Sequence, residues 1–131
     1  MINKSLKQFK VEVVKDNLIS LTLENADSLE ELRDLRNWAK KVTTIVYDLY
    51  KKTGKKIIVI TDIKNLKKYN PQAFAILTDL MKSNEPYVLK SATFGGSKYI
   101  LFAQDILLTF SGRKNFKAFK TKEEALIWLN S

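Results

Sequence analysis

Two short segments near the start of the chain alternate apolar and polar residues, which is the pattern of half-buried β-strands. They cover residues 9–14 (FKVEVV) and 18–23 (LISLTL), and the Lys-Asp-Asn sequence at 15–17 between them favours a turn. The pattern therefore predicts a β-hairpin.

A long amphipathic helix is predicted after the hairpin. Ser28, followed three positions later by Glu31, has the spacing of a capping box at a helix start, and Gly54 is a stop signal. Between them apolar residues recur at steps of three and four, which places them on one helical face: Leu29, Leu32, Leu35, Ala39, Val42, Val46 and Leu49.

Three strand–helix units follow the long helix. The predicted strands are 57–60, whose four apolar residues are typical of a central strand covered on both faces, 87–94 and 116–119. The predicted helices are one from Pro71 with Asn70 as its N-cap, one over 98–110, and one capped by Thr121 with Glu124 three positions later. The order ββαβαβαβα predicts a single α/β domain over residues 1–131, with a mixed, mostly parallel sheet of about five strands and four helices.

The composition excludes several kinds of chemistry. The 131 residues include neither cysteine nor histidine, so there is no thiol nucleophile, no histidine base and no histidine metal ligand. No spacing of carboxylates indicates a metal site or glycosidase chemistry. The sequence therefore predicts a protein that is not an enzyme and has neither a cofactor nor a metal.

The charge and the apolar segments bear on partners and location. The formal net charge is +9, but the lysines are spread over the whole chain and arginine occurs only three times, so we expect no specific nucleic-acid binding. The first ten residues lack the apolar region of a signal peptide, and the longest apolar run, 99–110, is too short for a transmembrane segment. These features predict a cytoplasmic protein.

The chain resembles the SpoIIAA-like branch of the STAS superfamily. The resemblance rests on the order of elements, on the aspartate that closes VITD (59–62), on SATFGGS (91–97), and above all on FKAFKTKEEALIWL (116–129). It covers the chain from about residue 9 to the end. It implies an α/β domain with a small mixed sheet, and it leaves activity open because a fold is not a function.

The resemblance also implies where a regulatory switch would lie. In the phosphorylated anti-sigma-factor antagonists of this superfamily, a kinase partner phosphorylates the serine of an Asp-Ser pair at the start of the helix after the central strand. When Asp62 is placed on the strand-end aspartate, that pair falls on Asn70 and Pro71, so the hydroxyl is missing. The nearest hydroxyls belong to Thr61 and Thr78. The implied function is a non-catalytic regulatory or scaffold domain acting through protein contact, without this switch; the alternative is a binding protein for a small amphiphilic or lipid-like ligand, as in similar lipid-transfer domains.

The loops after parallel strands meet at one edge of a sheet, where ligands often bind. Asp62, Lys64, Ser97 and Lys98 are therefore the candidate ligand-binding residues. The alternative for Asp62 is a structural one, in which its side chain holds the following turn. For the lysines it is a solvated basic loop, and for the glycine pair before Ser97 it is an ordinary turn.

The third predicted helix has apolar residues on two sides. Its predicted core face is formed by Tyr99, Phe102, Ala103, Ile106 and Phe110. Leu101 and Leu108 then lie on the opposite side, seven positions apart and next to Gln104 and Asp105. They are the candidate interface residues, for a protein partner or a homodimer, although single exposed apolar residues are also normal.

Overall fold

Strands and helices alternate along the chain in the predicted order. The computed structural model describes residues 9–101, 105 and 115–131. The strands are β1 (Lys10–Lys15), β2 (Leu18–Glu24), β3 (Ile57–Asn65), β4 (Val88–Phe94) and β5 (Phe116–Phe119). The helices are α1 (Leu29–Thr53), α2 (Pro71–Asn84), α3, of which residues 98–101 and 105 are described, and α4 (Lys122–Leu129).

The five strands form one sheet in the order β1-β2-β3-β4-β5. Only β1 and β2 pair in antiparallel fashion, and the three other neighbouring pairs are parallel. The predicted mixed, mostly parallel sheet with four helices is therefore confirmed. Because β2 to β5 all point the same way, their carboxyl ends lie at one edge of the sheet, which we call the carboxyl edge.

Helices cover both faces of the sheet. On one face α1 and α2 pack on β2 and β3, and the buried cluster there includes Ile19, Leu21, Val59, Leu35 and Phe74. On the other face α4 packs on β3 and β4 through a smaller cluster of Ile60, Ala92, Ala125 and Leu129. This burial from both sides explains why residues 57–60 are continuously apolar.

The predicted helix ends are present. Ser28 and Glu31 form the reciprocal capping box of α1, and Gly54 ends that helix with a left-handed φ of 71°. The side chain of Asn70 accepts backbone N–H groups at the start of α2, and that of Thr121 does so for α4. These helix boundaries therefore follow from local sequence.

Two predictions about the first half of the chain were wrong. Asp62 does not end the central strand: β3 continues to Asn65, because its parallel pairing with β2 continues to the pair of Glu24 and Asn65. Leu29 is 81% exposed, since it is the first residue of α1 and precedes the part that packs on the sheet. Trp38, three positions after Leu35, is buried and extends the core face of α1.

The predicted core face of α3 is wrong at its first residue. Tyr99 is 56% exposed, whereas its neighbour Ile100 is fully buried. The helix starts from a tight turn, in which a Cβ on Gly96 would lie 2.7 Å from Cδ1 of Ile63, so packing of the turn sets the direction of the first helical residues. The other four predicted core residues lie outside the described part of the chain. Among the described helices, none combines the length and the apolar character needed to cross a membrane.

Lys90 on β4 links the sheet to the end of α4 through hydrogen bonds. Its Nζ donates hydrogen bonds to the backbone oxygens of Trp128 and Ser131, at 3.0 Å each, and lies 5.0 Å from the centre of the Trp128 ring. A cation at this position also interacts favourably with the partial negative charge at the end of a helix. The aliphatic part of Lys90 belongs to the same face of β4 as Ala92.

We therefore expect Lys90→Met to destabilise the protein, because it keeps an apolar stem but removes the ammonium group. The free energy of unfolding should fall by about 1–2 kcal/mol, and the melting temperature by roughly 3–8 °C. The control is Lys120→Met, which removes the same charge from an exposed residue directly after the neighbouring strand β5. Equal melting temperatures for the two variants, measured by circular dichroism, would contradict the role of Lys90.

Candidate functional site

Asp62 holds the backbone at the end of β3. Its Oδ1 accepts the N–H of Lys64 at 3.0 Å, and its Oδ2 lies 3.5 Å from Nζ of the same lysine. The Lys64 side chain is 65% exposed and the Asp62 side chain 20% exposed, so solvent weakens this ion pair. The geometry matches the structural alternative for Asp62, and a ligand-binding role for these two residues remains a prediction.

The loop after β4 lies directly on the end of β3. Gly95 has a φ of 86°, and a Cβ at this position would be 3.0 Å from Cβ of Lys64. This close approach brings the loop that carries Ser97 and Lys98 next to the last residues of β3, which follow Asp62. The hydroxyl of Ser97 accepts the N–H of Ile100 at 3.3 Å and so caps α3, while Lys98 is exposed. The structure thus brings the predicted loops together, and no observation assigns a ligand to them.

The lysine-rich loop between β3 and α2 is pinned by a buried asparagine. Asn25, which is 8% exposed, accepts the N–H of Lys67 at 2.8 Å and donates to the carbonyl of Lys68 at 3.0 Å. Asn70, at the other end of the loop, donates to the carbonyl of Ala26 at 3.0 Å. The loop backbone is therefore fixed to the segment between β2 and α1, while the side chains of Lys67, Lys68 and Tyr69 extend into solvent.

Sequence reasoning missed Asn25. Its partners lie 42 and 43 positions away along the chain, so no local spacing indicates the contact. The available signal was weak: a polar residue placed directly after the alternating strand β2 and before the predicted helix cap. Such a residue is ordinarily interpreted as part of a turn.

Two exposed tyrosines meet at this loop: Tyr69 belongs to it, and Tyr99 lies at the start of α3. Tyr69 is 43% exposed and Tyr99 56% exposed, and their ring centres are 6.4 Å apart at 80°. Tyr69 also packs on the buried ring of Phe74, with 4.6 Å between the centres. We call this pair, Tyr69 and Tyr99, the aromatic edge. It is flanked by exposed lysines at positions 64, 67, 68 and 98.

A cavity of about 90 Å³ lies between the sheet and helices α1 and α2. We call it the core cavity. Most of its lining is aliphatic or aromatic, but four polar side chains also line it, those of Thr61, Asn84, Ser91 and Thr93. Nε1 of Trp38 and Oδ1 of Asn84, which both belong to lining residues, are buried and have no hydrogen-bond partner. Each such unpaired group costs about 1–3 kcal/mol of stability.

The described residues contain no group of three or more acidic side chains arranged to hold a metal ion. The oxygen atoms of Asp62 are instead engaged with the backbone and side chain of Lys64. The two candidate binding features described above are the aromatic edge and the core cavity. Neither has the arrangement of a nucleophile and a base.

Comparison with known proteins finds similarity of structure without similarity of sequence. No protein-family model and no curated protein sequence matches the chain. The anti-sigma factor antagonist SpoIIAA in its unphosphorylated form is similar with a TM-score of 0.62 and 14% identity, over 95% of this chain and 99% of that one. An uncharacterised Shewanella loihica protein with a SpoIIAA-like fold is similar with a TM-score of 0.63 and 17% identity, over 98% of this chain and 99% of that one. A putative anti-sigma factor antagonist from Thermotoga maritima is similar with a TM-score of 0.60 and 15% identity, over 94% of this chain and 95% of that one. The SpoIIAA-like fold that the sequence resemblance implied is therefore confirmed.

We call the two hydrogen bonds of Asn25 to the backbone of Lys67 and Lys68 the clamp by Asn25, and the variant Asn25→Ala tests their contribution. This change removes both hydrogen bonds to the loop, each with a net value of about 0.5–1.5 kcal/mol, and leaves the backbone groups of Lys67 and Lys68 without their partner. We expect the free energy of unfolding to fall by about 1–3 kcal/mol and hydrogen exchange of the Lys67 amide to become faster. The control is Asn37→Ala, on the exposed side of α1. Unchanged exchange at Lys67 in the Asn25 variant would show that the loop is held by other contacts.

Proposed function

Because the chain has the SpoIIAA-like fold, we propose that it is a non-catalytic regulatory or scaffold domain that acts through protein–protein contact. Two of the similar structures are of proteins described as an anti-sigma factor antagonist or as a putative one, a description that refers to action on another protein. The absence of histidine and cysteine from the sequence also favours a binding role over catalysis.

The observation that carries this proposal is the aromatic edge. Tyrosine is enriched among the residues that dominate binding energy at interfaces, since its large ring can be buried while its hydroxyl forms a hydrogen bond. Tyr69 follows a loop whose backbone is already fixed by Asn25, so binding there loses little conformational entropy. The surrounding lysines favour a partner with an acidic surface and speed its approach.

Regulation by phosphorylation at the start of α2 does not form part of this proposal. The residues there are Asn70 and Pro71, and neither has a hydroxyl group. Oδ1 of Asn70 instead accepts the N–H groups of Gln72 and Ala73, at 2.9 and 3.3 Å. We infer that contact through the aromatic edge does not depend on a phosphate at this helix start.

Binding of a lipid-like amphiphile is the second function that the fold resemblance suggested. Sites for drug-sized ligands usually have volumes of about 300–1,000 Å³. The core cavity, at about 90 Å³, is much smaller. The core cavity is therefore too small to hold a lipid.

A homodimer through the back of α3 is a separate proposal. Leu101 is half-buried, and one of its methyl groups, Cδ2, would lie 3.4 Å from a Cβ on Gly96, so part of its surface is used within the domain. Leu108 lies outside the described residues. The sequence spacing still predicts one stripe, because residues seven positions apart lie on the same face of a helix.

The role of the aromatic edge can be tested with the double variant Tyr69→Ser and Tyr99→Ser. We expect the recovery of specific partners from cells of the source organism, measured by affinity purification and quantitative mass spectrometry, to fall by about tenfold or more. The matched control is Leu29→Ser with Ile127→Ser, which removes two side chains that are 81% and 72% exposed elsewhere on the surface. The same partners at the same abundance with both double variants would refute a contact at this edge.

The homodimer is tested with Leu101→Glu and Leu108→Glu. A two-fold interface through this stripe would bury four leucines, each contributing roughly 1.5–3 kcal/mol. The double variant should therefore sediment as a monomer at concentrations where the wild type forms the proposed dimer. Circular dichroism separates this result from unfolding. A folded variant with an unchanged sedimentation coefficient would rule the stripe out as a dimer contact.

A further inference from the structure

The core cavity contains polar atoms at two separate places. Trp38 lies on α1 next to the hairpin, because its ring packs against Phe9 with 6.2 Å between the centres. Asn84 is the last residue of α2, and its side chain makes no capping bond to the short 3₁₀ helix Glu85–Tyr87 that follows. Both residues are at least nine-tenths buried, at 5% and 6% exposure. Two residues of the lining thus carry an unpaired donor, Nε1 of Trp38, and an unpaired acceptor, Oδ1 of Asn84.

We propose that the core cavity is a binding site for a small, neutral molecule with a hydroxyl group. The hydroxyl donates to Oδ1 of Asn84, and its short hydrocarbon part packs against the aliphatic lining. This site is distinct from the aromatic edge, because Tyr69 and Tyr99 do not line the cavity.

The lining determines the charge of the ligand. Among the described residues around the cavity, none is charged: the lining consists of apolar side chains with the hydroxyls of Thr61, Ser91 and Thr93 and the amide of Asn84. A carboxylate, phosphate or ammonium group there would lose its hydration without gaining a counter-ion, which is very costly. The ligand must therefore be neutral.

The volume determines the size of the ligand. An engineered cavity of about 150 Å³ in another protein accepts benzene. The core cavity, at about 90 Å³, accepts a molecule smaller than that ring. Fatty acids, sterols and nucleotides are excluded by size, and short-chain alcohols fit.

The unpaired atoms determine the functional group. Oδ1 of Asn84 requires a donor, and Nε1 of Trp38 requires an acceptor. A hydroxyl group is the smallest substituent on a hydrocarbon that can supply either one. Water alone satisfies the polar atoms but not the aliphatic side chains that form most of the lining, such as Val59, Leu77 and Leu80.

The experiment is a titration of the full chain with 1-propanol and, separately, with 1-chloropropane, followed by ¹H–¹⁵N NMR. The two probes have similar size, and only the alcohol can donate a hydrogen bond. We expect saturable shifts at cavity residues such as Val59, Thr61 and Ser91 with 1-propanol, with a Kd on the order of millimolar. Weaker binding is expected for 1-chloropropane, with no change at Tyr99.

Two variants make the test specific. Asn84→Leu keeps a similar volume but removes the acceptor, so it should weaken binding of 1-propanol by about tenfold and leave that of 1-chloropropane unchanged or tighter. Val59→Ile adds a methyl group to the lining, which reduces the cavity volume, and should weaken the binding of both probes. The proposal is overturned if neither probe shifts the cavity residues, which would indicate ordered water only. It is also overturned if folded Asn84→Leu binds 1-propanol as tightly as the wild type does, because Asn84 would then not be the polar anchor of the ligand.

Discussion

Burial of β3 on both faces and along both edges is the constraint on which the rest of the structure depends. The strand pairs with β2 on one side and with β4 on the other, and its side chains alternate between the α1–α2 face and the α4 face. A strand with this much apolar surface is stable only when helices cover both faces. Its position brings the loop that follows it to the middle of the carboxyl edge, between the loops that follow β2 and β4.

The loops at the carboxyl edge are rigid because they bind one another. Asn25 holds the backbone of the lysine loop, Asn70 binds Ala26, and the turn at Gly95 rests on Lys64. Asp62 and Ser97, two of the candidate ligand-binding residues, likewise use their side chains to accept backbone N–H groups. The same rigidity makes the edge suitable for recognition, since a surface that is already ordered binds with a smaller entropic cost.

The aromatic edge and the core cavity suit different partners for physical reasons. The edge is open to solvent and carries tyrosines among lysines, which fits a large partner with an acidic surface. The cavity is small and has no charge among its described lining residues, which fits a small neutral molecule. A binding event inside the cavity would act on α2 near Asn84, at the opposite end of the helix from Asn70.

The sequence by itself determined the order of the elements, the helix caps and the fold class, because these depend on periodicity and on contacts within four residues, as at Ser28, Asn70 and Gly54. Tertiary structure alone decided the length of β3, the exposure of Leu29 and Tyr99, the clamp by Asn25 and the existence of the core cavity. These features depend on residues that are distant in the chain. Pairing with β2 extends β3, the packing of the Gly95 turn directs the start of α3, and the cavity is the space that side chains from several separate elements leave unfilled.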